Sequence, residues 1–154
     1  MGKGKAGAFR SRGISVEKSC TINEQAVAKN REGIATAIRS ASQVLIELPV
    51  TIGILKSEGR DKEIPDLFTL SRSTAQDIDS YIAEKKDLDN EFDNHVKNRP
   101  AKGEDLSTYN SRTFRYGTKY LDLNQRIADT VGKSTDQMVG ILYPDKQKTE
   151  VQPA

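Results

Sequence analysis

The stretch DLDNEFDNH, Asp87 to His95, gathers carboxylates around the only histidine of the chain. Its alternating acids have the spacing of a calcium loop. Such a loop turns sharply at a glycine in its sixth position, and that position is Phe92. Glu91 and His95 lie four residues apart, so on a helix they share one face and would supply half of a metal site. No second histidine and no Cys/His cluster exists to complete it. The apolar helical period runs unbroken through the stretch, so a solvated helix face is expected here, with no metal and no cofactor.

Other chemical arrangements fall short in the same way. GKGKAG near the N-terminus shares only composition with a phosphate loop. It lacks the two glycines around four residues, the following Lys-Ser/Thr, and the strand-to-helix setting. Serines and threonines are plentiful, but one histidine and no nucleophile elbow leave no visible triad. An enzyme is therefore not expected. Cys20, the single cysteine, cannot form a disulfide within the chain, which speaks against a disulfide-built secreted scaffold.

TYNSRTFRYGTKY, Thr108 to Tyr120, is the most suggestive segment. Tyr109, Phe114, Tyr116 and Tyr120 interleave with Arg112, Arg115 and Lys119, and no acid falls between Asp105 and Asp122. Helical spacing places the three cations on one face. A cationic stripe beside aromatic rings suits a phosphate backbone or single-stranded nucleic acid. The plainer reading, and the favoured one, puts the tyrosines in the core seam with the cations as its solvated flank. Lys3, Lys5, Arg10 and Arg12 precede the first acid, Glu17, and add a second basic region.

The elements that would position these residues are helical. Residues 1–20, rich in Gly, Ser and basic side chains, show no period and read as a flexible arm. Thr21 and Glu24 have capping-box spacing and mark a helix start. From there Ile34, Ile38, Ala41, Leu45, Leu48, Ile52 and Leu55 recur in steps of four and three, a coiled-coil type of seam. This seam is more apolar than the next helix covers, so self-association along it is expected. Its phase passes through Pro49 without a slip. A kinked helix, or two helices meeting at Leu48–Pro49, is favoured over a strand at 50–55, although Val50, Ile52 and Ile54 alternate as a strand would. Gly59 is the expected stop.

A second helix is expected from Pro65 to about Asn98–Arg99–Pro100. Leu67, Leu70, Thr74, Ile78, Tyr81, Leu88 and Phe92 would be its buried side. A third runs from Asp105 or Ser107 to Tyr143–Pro144, with Tyr109, Thr113, Tyr116, Tyr120, Leu123, Ile127, Val131, Met138 and Ile141 in helical register. Residues 144–154 form a polar tail. The expected fold is all-α: three long helices in a bundle or extended helical hairpin over residues 21–143, with short connections and antiparallel neighbours.

At 154 residues, with 30% charged and 35% hydrophobic residues, the core is thin. Narrow apolar stripes suit long helices completed by partner subunits. The net charge of +2 is small, but it is segregated: the second helix is acidic, while the arm and the first half of the third are basic. No basic run followed by an apolar run marks a secretory signal, and the apolar stretch from Ser42 to Leu55 is short for a membrane span and contains Glu47. A cytoplasmic or intravirion setting is expected. The function expected is that of a non-enzymatic structural subunit in a larger oligomeric complex, for which a small phage virion component is a fitting context. The alternative is a nucleic-acid-binding accessory protein of packaging or recombination type.

Overall fold

The computed structural model describes residues 15–101 and 105–144. Lys3, Lys5, Arg10, Arg12 and nearly all of the expected tail lie outside the described residues. Within them the chain is all-α, built from three long helices: α1 (Val16–Ser57), α2 (Ile64–Lys97) and α3 (Asp105–Leu142), with a single 3₁₀ turn at Asp61–Glu63 between the first two.

α1 begins five residues before the expected capping box. Ser15 is the cap: its hydroxyl accepts the Lys18 N–H at 3.2 Å, satisfying one of the free donors of the first turn. Thr21 is already helical and turns its hydroxyl back to the Glu17 carbonyl. Glu24 is engaged in tertiary contacts described below. The helix then continues through Pro49 without interruption. No strand forms at 50–55, and α1 is one helix rather than two. Proline removes the N–H that would reach the Leu45 carbonyl. Pro49 faces solvent, where water can serve that carbonyl.

Gly59 ends α1 as expected. It adopts φ +69°, a conformation open to glycine and costly for other residues. The Arg60 N–H reaches the Leu55 carbonyl at 2.8 Å and the Gly59 N–H reaches Lys56 at 3.1 Å, the paired bonds of a Schellman cap. α2 starts at Ile64 with Pro65 in its first turn, and α3 spans the range read from its periodicity.

Contacts divide the chain into two compact units, each holding a segment of every helix. One comprises Met1–Gly33 and Lys86–Asp122, the other Ile34–Lys85 and Leu123–Ala154. We call them the aromatic and the aliphatic unit after their interiors. In both, α2 runs antiparallel to α1 and α3. Cys20 meets Leu106 in the first unit, and Thr51 meets Met138 in the second.

The aliphatic unit encloses Val44, Leu48, Leu55, Leu67, Leu70 and Met138, with Leu45, Ile52, Val131 and Ile141 packed against them. Leu48 and Leu55 of the expected self-association seam belong to this core, and Leu45 and Ile52 pack against it. Ile34 and Leu55 are fully buried and Leu48 nearly so; Ile38, Leu45 and Ile52 are half-buried. The sequence reading set α1 against the second helix alone. α3 adds to that cover through Met138, Val131 and Ile141. The large apolar residues that α1 leaves exposed in this unit are Ile46, Val50 and Ile54, beside the seam.

Two arginines outside the long helices fasten helix ends. Arg60 donates to the Leu142 and Ile141 carbonyls at 2.8 and 2.5 Å, capping the last turn of α3, where the helix dipole is negative. Arg99 donates to the Glu17 carbonyl at 2.7 Å, the Thr21 hydroxyl at 3.1 Å and Glu24 at 3.3 Å. It ties the end of α2 to the start of α1.

Candidate interaction surface

The basic and aromatic segment of α3 lies in the aromatic unit. Tyr109 and Tyr120 are buried and Tyr116 is half-buried, because they share the inward face with Thr113 and Leu123. The rings pack as one cluster with α2. His95 stacks on Tyr109 at 4.1 Å between centroids with nearly parallel planes, and Tyr116 lies 5.2 Å from His95 and 5.7 Å from Phe92. Phe92 meets Tyr120 edge-on.

Tyr109, Tyr120, His95 and Thr113 each have a polar partner. Tyr109 donates its hydroxyl hydrogen to Glu24. Tyr120 donates to Asp89 at 2.5 Å. His95 Nε2 is 2.8 Å from the Thr113 hydroxyl, which also donates to the Tyr109 carbonyl. Burial, and then the carboxylate beside each, pushes the Tyr109 and Tyr120 hydroxyls far above their ordinary value of 10. Burial lowers His95 below its ordinary 6.5, with Glu24 opposing and Arg112 adding to the effect. Burial thus favours the neutral form of the ring. Arg31 completes the unit: it pairs with Asp93 at 2.6 Å and with Asp89 at 3.8 Å, and its guanidinium sits 5.9 Å from the Phe92 centroid.

The acidic stretch that opened the sequence analysis is thus divided by the helix. Asp89 and Asp93 face Arg31 on α1, whereas Glu91 and His95 line an open cleft of about 510 Å³ between α2 and α3. Arg112, Tyr109 and Tyr116 form its other wall. Among the described residues, no group of three His, Cys, Asp or Glu side chains is close enough to share a metal ion. Cys20 is buried, with its Sγ 3.8 Å from the Leu106 carbonyl, and burial raises its thiol.

Arg112, Arg115 and Lys119 are all exposed, and Arg112 lies on the α2 side of α3. Lys119 Nζ lies 5.4 Å from the Tyr116 centroid, a cation over the flank of a core ring. The exposed aromatic side chain of the segment is Phe114, at 72%. It lies on the opposite flank and lines a second cleft with Val16, Ser19 and Asn23 of α1. Arg112 and Lys119 therefore border the tyrosine cluster, on the flank of α3 away from Phe114, and Arg115 follows Phe114 directly in the chain.

Three features escaped the sequence reading. The Glu24 hub, taken for a capping residue, binds both Arg99 and Tyr109. The Arg60 clamp showed only as a charged turn. The exposed residues Phe114 and Leu121, seven apart, stood out less than the tyrosines between them. A further point concerns α1. Among the described residues it is the one helix with an 18-residue window long and apolar enough to cross a membrane by composition, at mean hydropathy 1.3, and 28% of that window is buried. The sequence reading judged the Ser42–Leu55 stretch too short; the qualifying window, of 18 residues, is longer. Core helices of soluble proteins meet the same criterion. In comparison with known proteins, no family model, no curated protein and no solved structure matches this chain.

Proposed function

We propose that this protein is a non-enzymatic helical subunit that acts by assembling with other protein chains through the outer faces of its helices. The observation that carries this reading is the placement of large apolar side chains. Ile46, Val50, Phe68, Phe114 and Leu121 are each more than half exposed, in a chain where only 35% of residues are hydrophobic. Scattered exposed apolar residues are ordinary. Here they recur along helix faces, as Ile46, Val50 and Ile54 do on α1, and that regularity fits helix partners. The engagement of His95 with Thr113 and Tyr109 also supports a packing role for the most titratable group. Sedimentation velocity at micromolar concentration tests the proposal. An oligomer, or a stable complex with a co-purified protein, is expected; a compact, folded monomer with no partner overturns it.

A second reading, nucleic-acid binding, draws on the three exposed cations Arg112, Arg115 and Lys119. Their simultaneous change to Gln would leave the fold intact and flatten the salt dependence of binding by about two to three counterions. Absence of any binding to single- or double-stranded nucleic acid at low salt removes this alternative.

A further inference from the structure

Three polar side chains in the cleft between α2 and α3 differ from their counterparts elsewhere in the molecule. Tyr81, Tyr109 and Tyr120 each engage another group through the hydroxyl. The hydroxyl of Tyr116 makes no hydrogen bond among the described residues. Arg31, Arg99 and Arg126 each pair with an acid on a neighbouring helix. Arg112 makes no such pair among the described residues, although Glu91 and Asp105 line the same cleft. Glu91, on the α2 wall, likewise has none.

The two charges act on one place. Burial raises the Tyr116 hydroxyl above its ordinary 10, Glu91 adds to the rise and Arg112 opposes it. A carboxylate on one wall and a guanidinium on the other thus both influence one hydroxyl without bonding one another. The remaining groups do not answer them. The Thr113 hydroxyl gives its hydrogen to the Tyr109 carbonyl, so His95 Nε2 must donate to Thr113, and the ring stays stacked on Tyr109. Asp105 stands in the first turn of α3, seven residues and about 10 Å along the axis from Arg112. Lys119, over the Tyr116 ring, adds positive potential beside Arg112.

We propose that this cleft binds a small zwitterion of amino-acid type, its carboxylate held by Arg112 and its ammonium by Glu91. An unpaired charge of each sign on facing walls is complementary to a ligand that carries both. The N–H fork of arginine matches a carboxylate, and the Tyr116 hydroxyl, which can donate or accept, donates to the same group. A simple anion would be repelled by Glu91, and a simple cation by Arg112. The cleft volume of about 510 Å³ is within the range of small-ligand sites. Its ring-bearing residues, His95, Tyr109 and Tyr116, suit an aromatic side chain on the ligand. This site goes beyond the assembly reading and uses none of the exposed apolar residues on which that reading rests.

His95 is the only histidine of the chain, so its ring protons are an isolated NMR reporter at the cleft. L-phenylalanine titrated into the full chain at neutral pH should shift them saturably. N-acetyl-L-phenylalanine lacks the ammonium and L-phenylalaninamide lacks the carboxylate. Each should bind at least about tenfold more weakly, the scale of one charge-assisted bond lost. Arg112→Gln and Glu91→Gln should each weaken L-phenylalanine by a similar factor, and Tyr116→Phe by less. Arg112 and Glu91 are exposed, so circular dichroism should show the fold kept in both variants. An N-acetyl form that binds as tightly as the free amino acid, with Glu91→Gln unchanged, would mean a plain anion site and overturn the proposal. Equal binding of all three probes, or no saturable shift, overturns it as well. Sedimentation of the same variants separates this site from the assembly reading. Unchanged self-association is expected, whereas weakened self-association without a probe shift would assign Glu91 and Arg112 to a protein contact and overturn the zwitterion site alone.

Discussion

The aromatic and aliphatic units are cut from the same three helices yet are held by different forces. In the aliphatic unit, Leu48, Leu55, Leu67, Leu70 and Met138 meet through contacts that prefer no direction. Its buried polar groups pair side by side, as Thr74 does with Ser134 at 2.9 Å. In the aromatic unit, each buried tyrosine ends in a carboxylate on another helix: Tyr109 on Glu24 and Tyr120 on Asp89. Those bonds have fixed length and angle. They set the register of α1, α2 and α3 in a way aliphatic packing alone does not. A thin core can thus be specified by polar ends of large rings as well as by volume. Each unit also ends in an arginine that follows a helix, Arg60 in one and Arg99 in the other.

Core truncations should separate the two most strongly. Leu67→Ala removes a fully buried side chain and should cost about 2–5 kcal/mol, and Tyr120→Ala about 3–5 kcal/mol. Tyr120→Phe keeps the ring and removes only the bond to Asp89, for about 1–2 kcal/mol. Chemical denaturation of the variants supplies all three values. A Tyr120→Phe protein as stable as wild type would break the contrast.

Pro49→Ala is expected to stabilise the aliphatic unit. Proline within a helix interior costs about 3 kcal/mol. Because Pro49 is exposed and the helix continues through it, about 1–3 kcal/mol should be recovered, with unchanged or raised helix content by circular dichroism. Destabilisation would mean that the local backbone at this position is required.

Glycine substitutions sharpen the comparison at smaller scale. A Cβ at Gly53, in the aliphatic unit, meets nothing within 4 Å, whereas at Gly117, in the aromatic unit, it would stand 3.3 Å from Val27 Cγ2. Gly53→Ala should therefore gain about 0.5–1 kcal/mol through helix propensity. Gly117→Ala should gain less or lose, because α1 must yield at Val27. Thermal melts of the two proteins decide the order.

The smallest expected effect is a pH dependence confined to the aromatic unit. The folded chain holds the His95 proton less tightly than the unfolded chain does, because burial lowers the ring from 6.5. Its contribution to stability is therefore complete above about pH 6.5 and is lost as pH falls through the lower folded value. Replacing His95 by Gln should remove that part of the slope below pH 6.5 in melts taken against pH. An identical slope in both proteins would assign the dependence to carboxylates instead.

Helix type, number and most boundaries were legible before any coordinates. Apolar periodicity survives Pro49, and Gly59, Pro65 and Pro100 punctuate the chain where backbone geometry demands it. Periodicity says which face of a helix is buried. It does not say which helix covers it, so the Ile34–Leu55 seam looked incomplete until α3 was seen against it. The same ambiguity hid the roles of Glu24, Arg60 and Arg99. Their partners lie 80 or so residues away, and local spacing carries no information at that range.

The sequence by itself determined that the chain would be helical, where its helices would stop, and that its cations and tyrosines would share one segment. Those outcomes depend on hydrogen bonds and side-chain preferences within a few residues of one another. Only the tertiary structure decided that Tyr109 and Tyr120 end on Glu24 and Asp89, that His95 stacks on Tyr109, and that Phe114 faces solvent on the flank away from Arg112 and Lys119. Each of these depends on which surface of another helix arrives, and that is settled by packing and desolvation summed over the whole interior.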